Sequence, residues 1–403
     1  MCSIFGAYGP PGSVSVSIIQ KLAVAGRDRG RDGTRFTSHQ LQGGEAFVGC
    51  ARAAPTTEVE TPELQPYEGI VHNGTIANDK ELGNPVGQVD SMVLRDVLQR
   101  DNLNSMVASV ARLAGSFAIA ATGADTLFLA RNYKPIHLWA DGPVTYFSSM
   151  ARHFEGIVPW GQAPVEMEPY SVLDVARRKR ASLRPHHFKS AVVVASSGLD
   201  STTAAWMLKA QGYDVCLLHF RYGCRAEARE VDAIKLIADR LGGRLEFVDL
   251  PEWRSSLLDP SAPIAGSIKG AEFAHEWVPA RNLFFLSAAI AWAEGQGYHY
   301  VALGNNLEEA GAYPDNEEQM TTLMDRVADY AVADGYGMRV LAPVGRLMKH
   351  EIVAEGLRLR VPYELTWSCY KSARQPCHDC GPCFMREEAF RRNGAVDPLR
   401  EAS

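Results

Sequence analysis

No apolar run in this chain is long enough to cross a bilayer: the longest, Leu283 to Ala293, falls well short of the ~20 residues that a helical span requires. The opening residues also lack a basic stretch followed by an apolar one, so neither a secretory leader nor membrane attachment is expected, and the cytoplasm is the expected compartment. Basic residues are not in excess: 41 Lys and Arg stand against 47 Asp and Glu, for a net charge of −6. That balance excludes a broad electrostatic footprint for nucleic acid, so any such contact would need a local patch. Cysteine is scarce outside one cluster. Of the 8 cysteines, 4 lie between Cys369 and Cys383, and the others, Cys2, Cys50, Cys216 and Cys224, are not spaced like a secreted disulfide scaffold. Reduced thiols and one metal site fit better, with Cys50 and Cys216 assigned to packing. The sequence shows no internal repeat, no low-complexity tract and no Gly-Lys-Ser/Thr of the Walker type.

With 403 residues the chain is too long for one hydrophobic core, and 46% hydrophobic with 22% charged residues describes an ordinary soluble enzyme. Two domains are expected, over 1–175 and 190–403. They are joined by a basic linker at 176–189 that holds Arg177-Arg178-Lys179-Arg180 and His186-His187. Before the linker, short alternating segments (Ala46–Gly49, Gly69–His72, Ser116–Ala120, Leu127–Leu129, Val144–Phe147) predict an antiparallel or mixed sheet, with a helix over Asp90 to Arg100. After it, apolar strands at Ser190–Ala195 and Asp214–Phe220 alternate with helices from Ser201 and around Glu227–Leu241. This βαβ texture predicts a parallel sheet covered on both faces.

Cys2 follows Met1 directly, so removal of the methionine leaves one residue with a thiol and a free α-amine. The amine, with an unperturbed pKa near ~8, can take the thiol proton, which makes the residue a nucleophile carrying its own base. Behind it come Arg29-Gly30-Arg31-Asp32-Gly33, Gly49-Cys50-Ala51-Arg52, Gln65-Pro66, His72-Asn73-Gly74, Asp90-Ser91 and Ala130-Arg131-Asn132-Tyr133-Lys134-Pro135. In order and interval these resemble the glutaminase domain of the asparagine synthetase family, the N-terminal-nucleophile class of glutamine amidotransferases. The resemblance spans roughly residues 2–150 and implies an αββα sandwich. It also implies that Cys2 attacks the glutamine amide, that Asn73 and the Gly74 N–H form the oxyanion hole, that Arg52 pairs with the glutamine carboxylate, and that Asp90 pairs with its amino group. Thr75 and Ser148-Ser149-Met150 depart from the family's pattern at positions away from these roles.

The second half opens with a buried strand running into Ser196-Ser197-Gly198-Leu199-Asp200-Ser201 and then a helix. Such a turn presents backbone N–H groups, hydroxyls and a helix N-terminus to an anion. It resembles the pyrophosphate (PP) loop of N-type ATP pyrophosphatases, with Ser197 in place of the first glycine. The spacing Cys369-x7-Cys377-x2-Cys380-x2-Cys383 is a zinc signature whose four thiolates close a tetrahedron and leave no open position; His378, inside the cluster, could replace one of them.

Further along, Phe220-Arg221-Tyr222-Gly223-Cys224-Arg225, Val278 to Leu286, Gly304-Asn305-Asn306, Tyr313-Pro314-Asp315-Asn316, Lys349 and Thr366 to Tyr370 resemble, in order, the 7-cyano-7-deazaguanine (preQ0) synthase family over about 190–395. This implies an adenine-nucleotide α-hydrolase-like fold, use of ATP and Mg²⁺, and a substrate region formed by Arg281, Asn282, Tyr313 and Asp315. Lys349 would neutralise phosphate charge there. Cys224 stands where the family has Gln, and Asn316 where it has Cys.

The joined halves resemble the Gat-QueC class. That resemblance implies ammonia released from glutamine at Cys2 and delivered by a tunnel to an adenylated 7-carboxy-7-deazaguanine, giving an amide and then the nitrile preQ0. Members of the synthase family commonly pair, which implies a homodimer. An alternative acceptor is preQ0 within tRNA or DNA, converted to an archaeosine-type amidine. A carboxylate needs ATP activation and a nitrile does not, so a retained ATP loop favours the first. A third reading, supported by Ser197, Cys224 and Asn316, is an altered member that binds a deazaguanine or modifies a protein.

Overall fold

The computed structural model describes residues 2–53, 64–184, 187–250, 278–310, 313–371 and 374–401; Met1 and the linker positions 185 and 186 lie outside them. The chain divides into one unit of residues 1–185 with 333–335, and a second of 186–332 and 336–403.

The strands of the first unit are β1 (Ser3–Gly9), β2 (Gly33–Leu41), β3 (Gly44–Arg52), β4 (Ile70–Ile76), β5 (Gly115–Thr122), β6 (Leu127–Arg131), β7 (His137–Asp141), β8 (Val144–Ser148), β9 (Val165–Glu166), β10 (Ser171–Asp174) and β11 (Lys179–Ser182). They form two antiparallel sheets, ordered β2-β3-β1-β8-β7-β9 and β11-β10-β6-β5-β4. Side chains alternate across each strand, so each sheet has an inner and an outer face. The inner faces meet in one core, where Ile4, Val48 and Cys50 of the first sheet pack with Val71, Ala118 and Leu129 of the second. Helix α1 (Val16–Ala25), capped by Ser15, lays Ile19 and Leu22 on Phe5, Phe47 and Tyr146 of the first sheet's outer face. Each of these two aliphatic side chains is fully buried, a contribution of about 1.5–3 kcal/mol apiece. Helices α2 (Leu94–Val97) and α3 (Leu103–Val110) cover the second sheet through Leu94 and Met106 against Phe117 and Phe128. The result is the expected α-β-β-α layering.

Two expectations change here. The helix predicted over Asp90 to Arg100 is a 3₁₀ turn at Asp90–Val93 running into the four-residue α2, because Leu98 turns to extended backbone. The basic stretch predicted as linker supplies β11, which pairs with β10 from Asp174↔Lys179 to Ser171↔Ser182. Its charged side chains sit on an exposed edge strand, where charge suits solvent and discourages edge-to-edge pairing.

The second unit holds β12 (Ser190–Val194), β13 (Asp214–Arg221), β14 (Arg244–Asp249), β15 (Tyr300–Leu303) and β16 (Arg339–Leu341), all parallel, in the order β14-β13-β12-β15-β16. Its helices are α4 (Leu199–Ala210), α5 (Glu227–Leu241), α6 (Arg281–Gln296), α7 (Leu307–Ala310), α8 (Glu318–Ala331), α9 (Lys349–Arg358), α10 (Gly381–Arg392) and α11 (Pro398–Glu401). Val192, Leu218 and Val301 face Leu286, Ala289 and Met324 of α6 and α8, while Val193, Leu217 and Ala302 face Ala205, Leu208 and Ile234 of α4 and α5. The near-continuous Val/Leu character of the central strands follows from burial on both sides. Successive strands depart to opposite sides of β12, so a crevice opens beyond the carboxyl ends of β12 and β15, the usual ligand position in such sheets.

Candidate active sites

In the first unit, antiparallel pairing sets Ser3 against Ala51 and Ile4 against Cys50, which brings Cys2 to the end of β3 beside Arg52 and Ala53. The Cys2 thiol accepts a hydrogen bond from the Ala53 N–H at 3.5 Å. Its pKa is lowered to about 6, first by a hydrogen bond from the Cys50 thiol and also by the Ala53 N–H and the Arg52 charge, against the opposing effect of burial. The Cys50 thiol is correspondingly raised, since it holds the proton of the pair and is buried. Cys50 packs in the core beside Cys2, as expected, and its thiol also favours the Cys2 thiolate. Ser149 adds a second unpredicted support: its hydroxyl accepts from Ile4 N at 2.9 Å and its N–H donates to Ile4 O at 3.0 Å, clamping the strand that carries the nucleophile.

Asn73 lies on β4 two residues after Val71, so it shares Val71's inner face toward the core against which Cys2 packs. It is fully buried, and neither its Nδ2 nor its Oδ1 has a hydrogen-bond partner among the described residues. A buried amide in that condition costs stability unless a ligand completes it. Gly74 next to it has φ 150°, and a Cβ there would meet Ser116 O at 1.9 Å, so only glycine fits. Arg52 is buried at 7% exposure. Asp90 accepts from Ile76 N at 2.6 Å and from Ser91 N at 2.8 Å, so it also pins the end of β4. Arg131 and Asn132 are structural: the guanidinium is fully buried on Glu166 and the Met167 carbonyl at 2.8 and 2.6 Å, and Asn132 bonds the backbone of Gly115 and Phe117.

In the second unit, a cavity of about 200 Å³ sits at the crevice, and Ser196, Gly198, Asp200 and Ser201 form one wall. Ser201 Oγ receives Ser196 N at 3.3 Å and Gly198 N donates to Ser196 Oγ at 3.3 Å, so the loop is folded by its own hydroxyls. Ser197 has φ 64°, the left-handed region that explains a glycine there in the related loop, and serine bears a strain of about 1–2 kcal/mol in it. Its side chain is fully buried and does not line the cavity.

Asp200 opens α4, Glu309 lies on α7 and Lys349 opens α9; the lysine ammonium donates to Asp200 Oδ2 at 2.5 Å and to Glu309 Oε1 at 2.7 Å. Burial raises Asp200 to about 6 in spite of the ammonium, whereas the same ammonium holds Glu309 low against its own burial. Lys349 is raised because the two carboxylates outweigh burial. Two carboxylates sharing one cation leave a net negative charge beside the phosphate-type loop, a set of oxygens suited to Mg²⁺ and of N–H donors suited to phosphate. Asp200 Oδ1, Asn305 Oδ1 and Trp367 Nε1, all of residues on the cavity wall, are buried without a partner among the described residues.

Arg281 and Asn282 also line the cavity, and Tyr313 and Asp315 do not. Asp315 instead accepts from Asn282 N at 3.1 Å, capping α6, and Asn316 Oδ1 accepts from Asn282 Nδ2 at 3.1 Å. Pattern reading missed Glu309 and Glu230 on this wall. Only the first carries a local signal, an acidic pair directly after Gly304-Asn305-Asn306-Leu307.

The Sγ atoms of Cys369, Cys377, Cys380 and Cys383 all lie within 4.8 Å of one another. A tetrahedron with bonds of ~2.3 Å has edges of about 3.8 Å, so the four fit one Zn²⁺. Backbone N–H groups of Lys371 and Cys377 reach Cys369 Sγ at 3.3 and 3.4 Å, as thiolate ligands require.

A parallel sheet whose central strand ends in a hydroxyl- and glycine-bearing turn, over a cavity with acidic and cationic groups, defines a PP-loop nucleotide-binding unit. Residues 190–394 match the family described as queuosine biosynthesis protein QueC. A 7-cyano-7-deazaguanine synthase of Sulfolobus acidocaldarius is 37% identical over 441 aligned positions, covering 94% of this chain and 95% of the relative. That of Saccharolobus solfataricus is 39% identical and covers 86% and 82%. The synthase of Chlorobium phaeobacteroides is 36% identical and covers 52% of this chain and 95% of its own length. The chain belongs to the QueC (7-cyano-7-deazaguanine synthase) family, and some relatives align through both of its units.

Proposed function

We propose that this chain is a glutamine-hydrolysing, ATP-dependent amidotransferase that converts 7-carboxy-7-deazaguanine to its amide and then to the nitrile. The observation that carries the reading is the cavity of the second unit, which joins the Ser196–Ser201 loop and the Asp200–Lys349–Glu309 cluster to an aromatic end with Arg281. An activation loop is needed for a carboxylate and superfluous for a nitrile.

In the first unit, the Cys2 thiolate attacks the glutamine side-chain carbon. Asn73 Nδ2 and the Gly74 N–H hold the developing oxyanion, Arg52 holds the α-carboxylate and Asp90 the α-ammonium. The α-amine left by methionine removal protonates the departing ammonia, and water then hydrolyses the thioester to glutamate. The buried amide of Asn73, without an internal partner, supports this role. In the second unit, a carboxylate oxygen of the base attacks the α-phosphorus of ATP and pyrophosphate leaves. Ammonia displaces AMP to give the amide. A second ATP adenylates the amide oxygen, which departs with AMP as the remaining N–H protons are lost, leaving the nitrile. Ser196, Gly198 and Ser201 hold the leaving phosphates, Lys349 neutralises them, and Mg²⁺ enters with ATP. Cys369, Cys377, Cys380 and Cys383 hold one structural Zn²⁺.

Mass spectrometry tests this with full-length protein, glutamine, ATP and Mg²⁺, offering 7-carboxy-7-deazaguanine in one reaction and preQ0-containing tRNA or DNA in another. Amide or nitrile with AMP in the first is expected. An amidine formed only in the second would replace the reading with modification of nucleic acid.

A further inference from the structure

Glu230 is the acidic group on the cavity wall that neither the loop chemistry nor the ammonia chemistry uses. It stands in the first turn of α5 and lines the cavity together with Tyr222, Cys224 and Arg281. Among the described residues its carboxylate receives the Cys224 thiol at a long 3.9 Å. A carboxylate offers about four lone-pair positions, so one long thiol contact and the nearby Arg281 charge still leave it able to accept from a ligand. The neighbouring Glu227 is already committed, accepting from Tyr222 N at 3.0 Å and Gly223 N at 2.7 Å. The surrounding wall is aromatic: Phe220 stacks on Phe285 at 4.8 Å, Tyr222 meets the same ring at 5.4 Å, and Trp367 and Tyr370 line the same cavity.

A flat heteroaromatic base suits such walls, because its faces stack and only its edge needs polar partners. The guanine-type edge carries two parallel donors, the ring N1–H and the exocyclic 2-amino N–H, and a carboxylate accepts such a pair with both oxygens. We propose that Glu230 is the residue that selects the 2-amino base, accepting N1–H and the 2-amino N–H while the C7 substituent points toward the loop. This rests on the proposed function for the substrate's class and adds the group that recognises its edge. Cys224 fits the arrangement: a thiol gives the carboxylate a weak donor where an amide side chain would compete with the base for the same lone pairs.

The test compares full-length wild type with Glu230→Gln and Glu230→Asp on 7-carboxy-7-deazaguanine and on its analogue without the 2-amino group, following AMP release. Wild type should favour the amino-bearing base by about 10- to 100-fold in kcat/KM, the loss expected when a charge-assisted hydrogen bond disappears. In Glu230→Gln the KM for the amino-bearing base should rise by a similar factor with kcat little changed, and the preference should collapse toward unity, since the amide turns a donor toward a donor. Glu230→Asp should restore part of it. Undiminished preference in Glu230→Gln, or a change confined to the KM for ATP, would overturn the assignment. If wild type releases no AMP with either base, the proposed reaction fails. Calorimetric binding of the two bases then tests Glu230 alone, and equal affinities in wild type and Glu230→Gln overturn it.

Discussion

Replacing Cys50 should change the chemistry of Cys2 without touching Cys2 itself. The Cys50 thiol is the largest influence holding the Cys2 thiol at about 6, and it acts by donating a hydrogen bond to the thiolate. A hydrogen bond to a charged group is worth about 1.5–3 kcal/mol, and one pKa unit is about 1.4 kcal/mol, so Cys50→Ala should raise the Cys2 midpoint by about 1–2 units. The Ala53 N–H and Arg52 remain in place, which keeps the new value below that of an isolated thiol. At pH 6 half of the wild-type Cys2 is thiolate; a rise of one to two units leaves about 9% to 1%, a fall of about 5- to 50-fold in alkylation rate. Near pH 9 the two proteins should react at nearly equal rates, because both thiols are then largely ionised. The assay is the iodoacetamide rate at the Cys2 peptide, followed by mass spectrometry from pH 5 to 9, with a thermal melt as a folding control. Cys50→Ser keeps a donor and should keep the low midpoint. A Cys50→Ala midpoint within a few tenths of wild type, or equal shifts in the Ala and Ser variants, would refute the reasoning.

Other perturbations separate structure from chemistry. Asn73→Ala should cut glutamine hydrolysis by about 10²–10³ in kcat, yet leave the melting temperature nearly unchanged, because the amide has no partner to lose among the described residues. Lys349→Met should abolish ATP-dependent product and lower stability, since it leaves the partly buried Asp200 and Glu309 without their shared cation. In that variant both carboxyls titrate above their unfolded values. Its stability deficit should therefore be small below the ordinary carboxylate range and grow as pH rises through about 6 and beyond, read as melting temperature against pH. Cys380→Ser should lower bound zinc from about one ion per chain toward none by elemental analysis and lower the melting temperature, as loss of one of four thiolates predicts.

The parts legible in the sequence are those written in consecutive residues. A thiol at position 2, a Ser/Gly turn between a buried strand and a helix, and four closely spaced cysteines each announce their chemistry locally, and the helix expected around Glu227–Leu241 is found at those bounds. What was illegible depends on register and crossover. Cys50 approaches Cys2 because β1 and β3 pair antiparallel with Ile4 against Cys50, and nothing in the order of residues states that register. Asp200 and Lys349 are 149 positions apart and meet because α4 and α9 both start at the carboxyl end of one sheet. The linker expectation weighed the charge of Lys179 and Arg180 but not their strand pairing, which an exposed edge strand satisfies equally well.

The three departures that favoured an altered, non-catalytic member do not weigh equally once placed. Ser197 keeps its side chain out of the cavity, so the phosphate-facing surface is still made by Ser196, Gly198 and Ser201. Asn316 is occupied in support: its side chain receives Asn282 and its carbonyl receives Asn305 Nδ2 at 3.0 Å, so it fixes two residues that face the cavity. A cysteine lacks the side-chain oxygen that receives Asn282 Nδ2, so the substitution adds one tie to this wall. Cys224 and Asn316 both line the cavity, and Cys224 does so next to Glu230. Lys349 between two partly buried carboxylates carries a desolvation cost that apolar residues would avoid, and on the proposed function that charge serves the phosphates. On the proposed function, the departures bear on the part of the cavity that would meet the base and leave the Ser196, Gly198 and Ser201 wall unchanged.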